Sequence, residues 1–378
     1  MSRYQLGEQI WSIELVGAKI TIVEPDGTRS VEELVNGELA RTRLRVLTNQ
    51  KLRAGWKVTR EAPAPAELPP PATIENARNP ELEAALLADP AHVPSWLVYG
   101  DWLQQQGDPR GTHIALRAAV ISAPDDLLAV GRLRQYEVRY GRYLRGGFEG
   151  VLGWGFLDDV RIGKLAEVEV VATPAGRFIT KLGIEHSTTS QASEIVASLG
   201  RLAPVTLREL SATGPGHAVI PSLEPLEPIL SRIRVLDLHT SIPKLCLAHL
   251  ARTPMPHLTQ LGLRNAEYGT EEALVALLGR GDLPELTVLH LDEQRRVPNI
   301  YQVLAASPIA RQLESLALVS VEESDVVLLA SLLDSFPKLA YLELPIDVLD
   351  LPRGLLSELE ARVGRVVGLS SRYAQISE

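Results

Sequence analysis

The 378-residue chain contains a single cysteine. It therefore has no intrachain disulfide, and a structural zinc site of the cysteine type is excluded. No stretch approaches 18 consecutive apolar residues, so no membrane-spanning segment is expected. The first residues, MSRYQLGEQIWSIEL, lack both an apolar h-region and a small-residue cleavage site. No secretory signal is expected there, and a cytoplasmic protein is the default. An excess of basic residues is missing too. The formal charge of −9 and pI near 5.5 argue against a whole-molecule nucleic-acid or anionic-membrane binder. Gly-x-x-x-x-Gly-Lys-(Ser/Thr), His-Glu-x-x-His and Gly-x-Ser-x-Gly do not occur, so none of these familiar catalytic signatures guides the reading. What remains is ordinary globular composition, 45% apolar and 22% charged.

What is present is a ladder. Six segments spell apolar-x-x-apolar-x-apolar: Leu207/Leu210/Ala212, Ile233/Leu236/Leu238, Leu258/Leu261/Leu263, Leu286/Leu289/Leu291, Leu313/Leu316/Leu318 and Leu339/Leu342/Leu344. Their middle positions step by 26, 25, 28, 27 and 26 residues. Weaker copies at Ile179/Leu182/Ile184 and Leu157/Val160/Ile162 extend the series backwards, at steps of 28 and 22. This period and spelling are the leucine-rich-repeat signature. The fold class expected is α/β: a leucine-rich-repeat solenoid with parallel strands on the concave side and helices on the convex back. Segments such as EEALVALLGR, YQVLAAS and VVLLASLLDS carry the helical spacing of that back.

Five regions are expected. Residues 1–60 alternate as strands, with Trp11, Ile13 and Leu15 on one face, then Ile20 and Ile22, and a turn at Glu24-Pro25-Asp26-Gly27. Val31 to Leu34 adds a strand and WKVTR closes the unit. Residues 38–54 switch to helical spacing and carry Arg41, Arg43, Arg45, Lys51 and Arg53, the candidate phosphate contacts. The stretches WSIELVGAKITIVEPDG and KLRAGWKV resemble the WGR domain, a small sheet-plus-helix module, although Val23-Glu24-Pro25 stands near where the Trp-Gly-Arg triplet would be. The resemblance implies a small α+β domain. Residues 61–78 form a proline-rich linker, five of their first fifteen residues being proline.

Residues 79–150 read as helices, started by the cap-and-proline pairs Asn79-Pro80 and Asp108-Pro109. Helices are expected at about Ser95–Gln106 and Pro124–Leu144, with Asp101 pairing to Arg110. The string ELEAALLADP…WLVYGDWLQQQGDPRGTHIALRAAV resembles the bacterial repeat-companion domain. The matching residues are Tyr99, Asp101, Trp102, Leu103, Gly107, Asp108, Pro109, Arg110 and Gly111, with Gly155-Phe156-Leu157 as the entry to the repeats. It implies a helical N-terminal cap and no chemistry. Residues 151–350 hold the repeats, and 351–378 a C-terminal cap and tail.

Period two sends alternate residues of each short strand outward. The polar residues so placed are the candidate partner-binding set: Glu209, Asp237, His239, Gln260, Arg264, His290, Asp292, Tyr341 and Glu343. A zinc site is disfavoured because His239 and His290 lie two strands, roughly 10 Å, apart with no third ligand evident. The Asp-His pairs 237/239 and 290/292 have no serine or cysteine evident beside them. Cys246, in KLCLAHLA, reads as a core thiol. The expectation is a non-enzymatic protein with no catalytic residue, metal or cofactor. It binds another protein on the concave face as an adaptor, a sensor or a protease or enzyme target. Nucleic-acid sensing through the basic N-terminal helix is the alternative.

Overall fold

The structure is a computed structural model. It describes residues 2–6, 9–16, 19–26, 28–33, part of 43–58, 77–215, 218–263, 270–291, 300–318, 323–344 and 352–368. The chain divides into two compact units, Met1–Thr73 and Ile74–Glu378. The residues of the linker between 61 and 76, and Arg41, Arg45, Arg264 and Asp292, lie outside the described set.

In the first unit, strands β1 (Ser2–Leu6), β2 (Gln9–Val16), β3 (Lys19–Val23), β4 (Arg29–Glu33) and β5 (Lys57–Val58) form one antiparallel sheet in the order β4-β3-β2-β1-β5. Trp11, Ile13, Ile20 and Ile22 are buried together with Trp56, and Ile13 pairs directly with Ile22. Alternation of apolar residues on β2 and β3 therefore makes one face of the sheet a small core. β1 was not expected. With only Tyr4 and Leu6 as large apolar residues it has little alternation of its own, and its pairing with β2 and β5 defines it. Of the expected closing strand WKVTR, Lys57 and Val58 pair with β1, Trp56 precedes the strand, and Thr59 and Arg60 lie outside the described residues.

The second unit begins with helices Pro80–Ala88, Val93–Gln105, Pro109–Ser122 and Leu127–Leu144. The expected caps are present: Asn79 Oδ1 accepts from Leu82 N, and Asp108 Oδ1 from Arg110 N. Gly111 faces the preceding helix so closely that a Cβ there would sit 2.3 Å from the carbonyl of Gly100. Arg110 does not pair with Asp101, which is exposed. Its guanidinium meets Asp108 at 3.3 Å and lies 4.8 Å over the Tyr143 ring. The Gly-Asp-Pro-Arg-Gly string thus starts a helix, fixes a close helix crossing and ties Arg110 back onto its own cap.

Ten strands follow. They are β6 (Val151–Leu152), β7 (Leu157–Ile162), β8 (Lys181–Glu185), β9 (Glu209–Thr213), β10 (Val235–His239), β11 (Gln260–Leu263), β12 (Val288–Leu291), β13 (Ser315–Leu318), β14 (Tyr341–Leu344) and β15 (Arg365–Gly368). They lie side by side in chain order, antiparallel between β6 and β7 and parallel from β7 onward. Register stacks the middle apolar residues into one line: Val160, Leu182, Leu210, Leu236, Leu261, Leu289, Leu316, Leu342 and Val366. All but Val366 are buried at 2% exposure or less.

Parallel neighbours need crossovers, and helices such as Thr189–Leu202, Lys244–Leu250 and Glu271–Leu278 provide them. Two connections depart from a full helix. After β7 a 3-10 segment, Leu165–Ala172, fits the short 22-residue step. Before β10, among the described residues, only Glu227–Leu230 is α-helical, in a connection carrying Pro221, Pro225 and Pro228, whose missing amide hydrogens interrupt helix bonding. The closing helix Arg353–Arg362 and β15 extend the same sheet.

Candidate functional site: the outward face of the parallel sheet

Leu236 and Leu238 of β10 join one apolar cluster with Cys246, Leu247 and Leu250 of the following helix. Their alternates Val235, Asp237 and His239 therefore point away from the helices, and each is half-buried. The same alternation holds on β8 and β9. It gives three outward rows: Asp159, Lys181, Glu209, Val235 and Gln260; Arg161, Gly183, Ser211, Asp237, Gly262 and His290; and Glu185, Thr213 and His239. A groove of about 480 Å³ runs over the β7–β11 part of these rows.

Charges on the rows answer one another across strands. Arg161 donates to Glu185 at 2.9 Å and Lys181 pairs with Glu209 at 2.9 Å. The hydrogen bond to Glu209 comes first among the causes that raise the Lys181 pKa above the ordinary lysine value. Both pairs are well exposed, so each contributes little to stability.

At the centre, His239 Nε2 meets Asp237 Oδ2 at 2.6 Å. The other carboxylate oxygen, Oδ1, is buried without a hydrogen-bond partner and leans over Gly262, where a Cβ would come within 2.1 Å of it. A side chain on residue 262 would displace this carboxylate, so the glycine makes room for it. Ser211, which the sequence pattern did not place beside the Asp-His pair, stands directly across from Asp237. Its Oγ leans the other way, toward Gly183, whose Cβ would lie 3.3 Å from it. The hydroxyl and the carboxylate thus lean toward opposite neighbouring strands.

The remaining expected residues divide. Gln260, His290 and Tyr341 are half-buried at outward positions of β11, β12 and β14. Glu343 is 5% exposed, so it does not present its carboxylate at the surface. It sits in register between Ala317 and Val367, and its Oε2 accepts from the Tyr341 hydroxyl at 3.3 Å. Among the described residues no group of three potential metal donors comes together, and no helix is long and apolar enough to cross a membrane. Cys246 is buried and donates to the Ile220 carbonyl oxygen at 3.4 Å.

The basic segment of the first unit is partly engaged within that unit. Arg43 grips Glu32 through two hydrogen bonds of 2.8 and 3.0 Å, holding the Glu32 carboxyl below its ordinary pKa. Lys51 pairs with Glu24 at 3.0 Å and lies 4.9 and 5.2 Å over the rings of Trp11 and Trp56. Arg53 is exposed. The alternating stretch around Glu24 and Glu32 gave no sign of these pairings, which bring together residues 11 and 27 positions apart.

No family model matches the chain, and no curated protein sequence matches it. Among solved structures, the crystal structure of a Bacteroides fragilis protein is similar over 98% of this chain and 96% of that one, at 13% identity and a TM-score of 0.41.

Proposed function

We propose that the second unit is a leucine-rich-repeat-type solenoid and that the protein is a non-enzymatic recognition module, binding a partner protein on the outward face of the sheet. One observation carries this reading. The β7–β11 face holds a groove lined by charged and polar side chains in register, whose ion pairs are exposed and whose central Asp237 oxygen lacks a donor. A carboxylate oxygen left without a donor weakens the hold on the Asp237 side chain, which leaves the centre of the groove able to rearrange around a ligand's N–H or O–H. The exposed Arg161, Lys181, Glu185 and Glu209 give both signs of charge for register and specificity. The engagement of Arg43 and Lys51 within the first unit favours this reading over nucleic-acid sensing through the basic segment.

The test is affinity capture from nuclease-treated extract of the native host, comparing wild type with the triple variant Lys181→Ala/Glu209→Ala/Asp237→Ala. A protein recovered by wild type, lost with the variant and bound directly when purified supports the reading. Equal recovery by both refutes it. So does a protein recovered from untreated extract but absent from the nuclease-treated capture.

A further inference from the structure

A second cavity, of about 610 Å³, opens beside the groove and shares Glu209 with it. Its floor is aromatic. Buried Trp96 stacks on half-buried Trp154 at 5.3 Å between ring centres and meets Phe178 edge-on at 5.2 Å. Leu86 and the exposed Ile121 add apolar wall.

Its mouth is cationic. Arg117 comes from the helix Pro109–Ser122, while Arg208 and Arg234 immediately precede β9 and β10. Because those strands are hydrogen-bonded neighbours, the two backbones run about 4.8 Å apart. No ion pair to Arg117, Arg208 or Arg234 forms among the described residues. The Arg208 guanidinium donates to the carbonyl oxygens of Val205 and Leu207, both at 2.9 Å, which holds it in place. Burial, then repulsion from Arg232 and Arg234, pushes its pKa below the ordinary arginine value. The carboxylates around the cavity are already engaged. Asp158 accepts from Thr180 Oγ1 at 2.6 Å, Glu209 from Lys181 at 2.9 Å, and Asp89 from Ala91 N at 3.1 Å. An arginine cluster of this kind, beside a desolvated aromatic floor, is complementary to a ligand with carboxylates around an apolar body.

We infer that this cavity anchors an acidic peptide segment of the partner, one bulky apolar side chain lying against Trp154 and Phe178 and its flanking carboxylates meeting Arg117, Arg208 and Arg234. The inference rests on the reading of this molecule as a protein-recognition module and names the chemistry of the partner. A peptide suits the mouth better than a nucleic acid does. A phosphate backbone needs an uninterrupted cationic track, and Asp89, Asp158 and Glu209 interrupt this one. Side-chain carboxylates can instead each take one guanidinium in a forked pair. Buried aromatic anchors within a charged rim are also where protein interfaces concentrate their binding energy.

The experiment is selection of a randomised peptide library on the full chain, with counter-selection on Arg208→Glu/Arg234→Glu. Recovered sequences are expected to carry an aromatic or large aliphatic residue flanked by at least two Asp or Glu. Synthetic copies should bind wild type at least tenfold more tightly than the double variant. They should also bind at least tenfold more tightly than to Arg234→Glu, a change at an exposed residue that leaves the fold intact. Leu245→Ala, at an exposed residue of the helix behind the sheet, should leave peptide binding unchanged. The groove reading is judged by the capture experiment and this one by the selected peptides, so their failures are separable. The proposal is overturned by recovered sequences without acidic residues, by equal binding to wild type and Arg234→Glu, or by tighter binding of a thymidine decanucleotide than of any selected peptide.

Discussion

The two cores of the larger unit are built from different side chains and hold by different means. The strand–helix ladder is aliphatic, a line of stacked leucines with each layer repeating the one before it. The cluster under the N-terminal helices is aromatic. Trp96, Tyr99, Phe156 and Phe178 meet at 4.8 to 6.5 Å between ring centres, and a polar network closes one side. In that network Arg177 Nη1 donates to Glu83 Oε1, the Tyr99 hydroxyl oxygen and the Ala77 carbonyl at 2.8 to 3.0 Å. Arg78 donates to Glu83 Oε2. Burial pulls the Glu83 pKa up, but the hydrogen bond from Arg78 and the charge of Arg177 outweigh it and hold the carboxyl below its ordinary value. A repeating core can be extended by adding a layer. The aromatic cluster is aperiodic, and its network joins residues up to 100 positions apart.

The contrast can be broken at either end. The largest effect is expected from Leu236→Ala, in the middle of the stack and fully buried, which should cost about 2–5 kcal/mol through lost burial and the cavity left behind. A urea-midpoint comparison checks it, with the same loss expected for Leu289→Ala because both fill equivalent layers. Arg177→Ala should cost less, about 1.5–3 kcal/mol, the range for hydrogen bonds to charged groups. It should also loosen the helices before the sheet, seen as faster amide exchange in residues 80–105 than in β10–β12.

A pH series sharpens the comparison further. His113 is fully buried, and burial lowers its pKa against the opposing pull of its hydrogen bond to Glu137. His186 is lowered by burial as well. Both rings stay neutral in the folded protein to a lower pH than in the unfolded chain, where the ordinary value is 6.5. As pH falls through 6.5, the unfolded state takes up protons that the native state refuses, so stability must fall. The urea midpoint is expected to drop between pH 7.5 and 5.5, and His113→Gln to flatten that drop. The smallest effect belongs to the outward face. Arg161→Ala should change stability by no more than about 0.5 kcal/mol, because its pair with Glu185 is exposed on both sides.

The ladder was legible because period and register coincide. Each apolar-x-x-apolar-x-apolar triplet from Leu157 to Leu344 supplies a strand of the parallel sheet, and the alternation rule turned Asp237, His239 and Gln260 outward as expected. The helix starts at Pro80 and Pro109 were legible from their caps. Three features were not. Glu343 is buried in register between Ala317 and Val367, an environment set by the neighbouring strands that a single strand's pattern does not encode. Arg110 chose Asp108 over Asp101 because the helix start brings the nearer carboxylate under its guanidinium. The cleft of Trp96, Trp154, Arg208 and Arg234 joins residues up to 138 positions apart; Arg208 and Arg234 hold the first variable position of the repeated spelling, which the outward alternation did not count, and Trp96 and Trp154 lie outside it.

The central claim, that the outward face of the sheet is where the partner sits, is tested most directly by photo-crosslinking in the native host. Benzoylphenylalanine is introduced at Val235, on the outward face, or at Leu245, which is 61% exposed on the helix behind the same strand. The account predicts a discrete covalent adduct from position 235 and none from position 245. An adduct from 245 alone would contradict it.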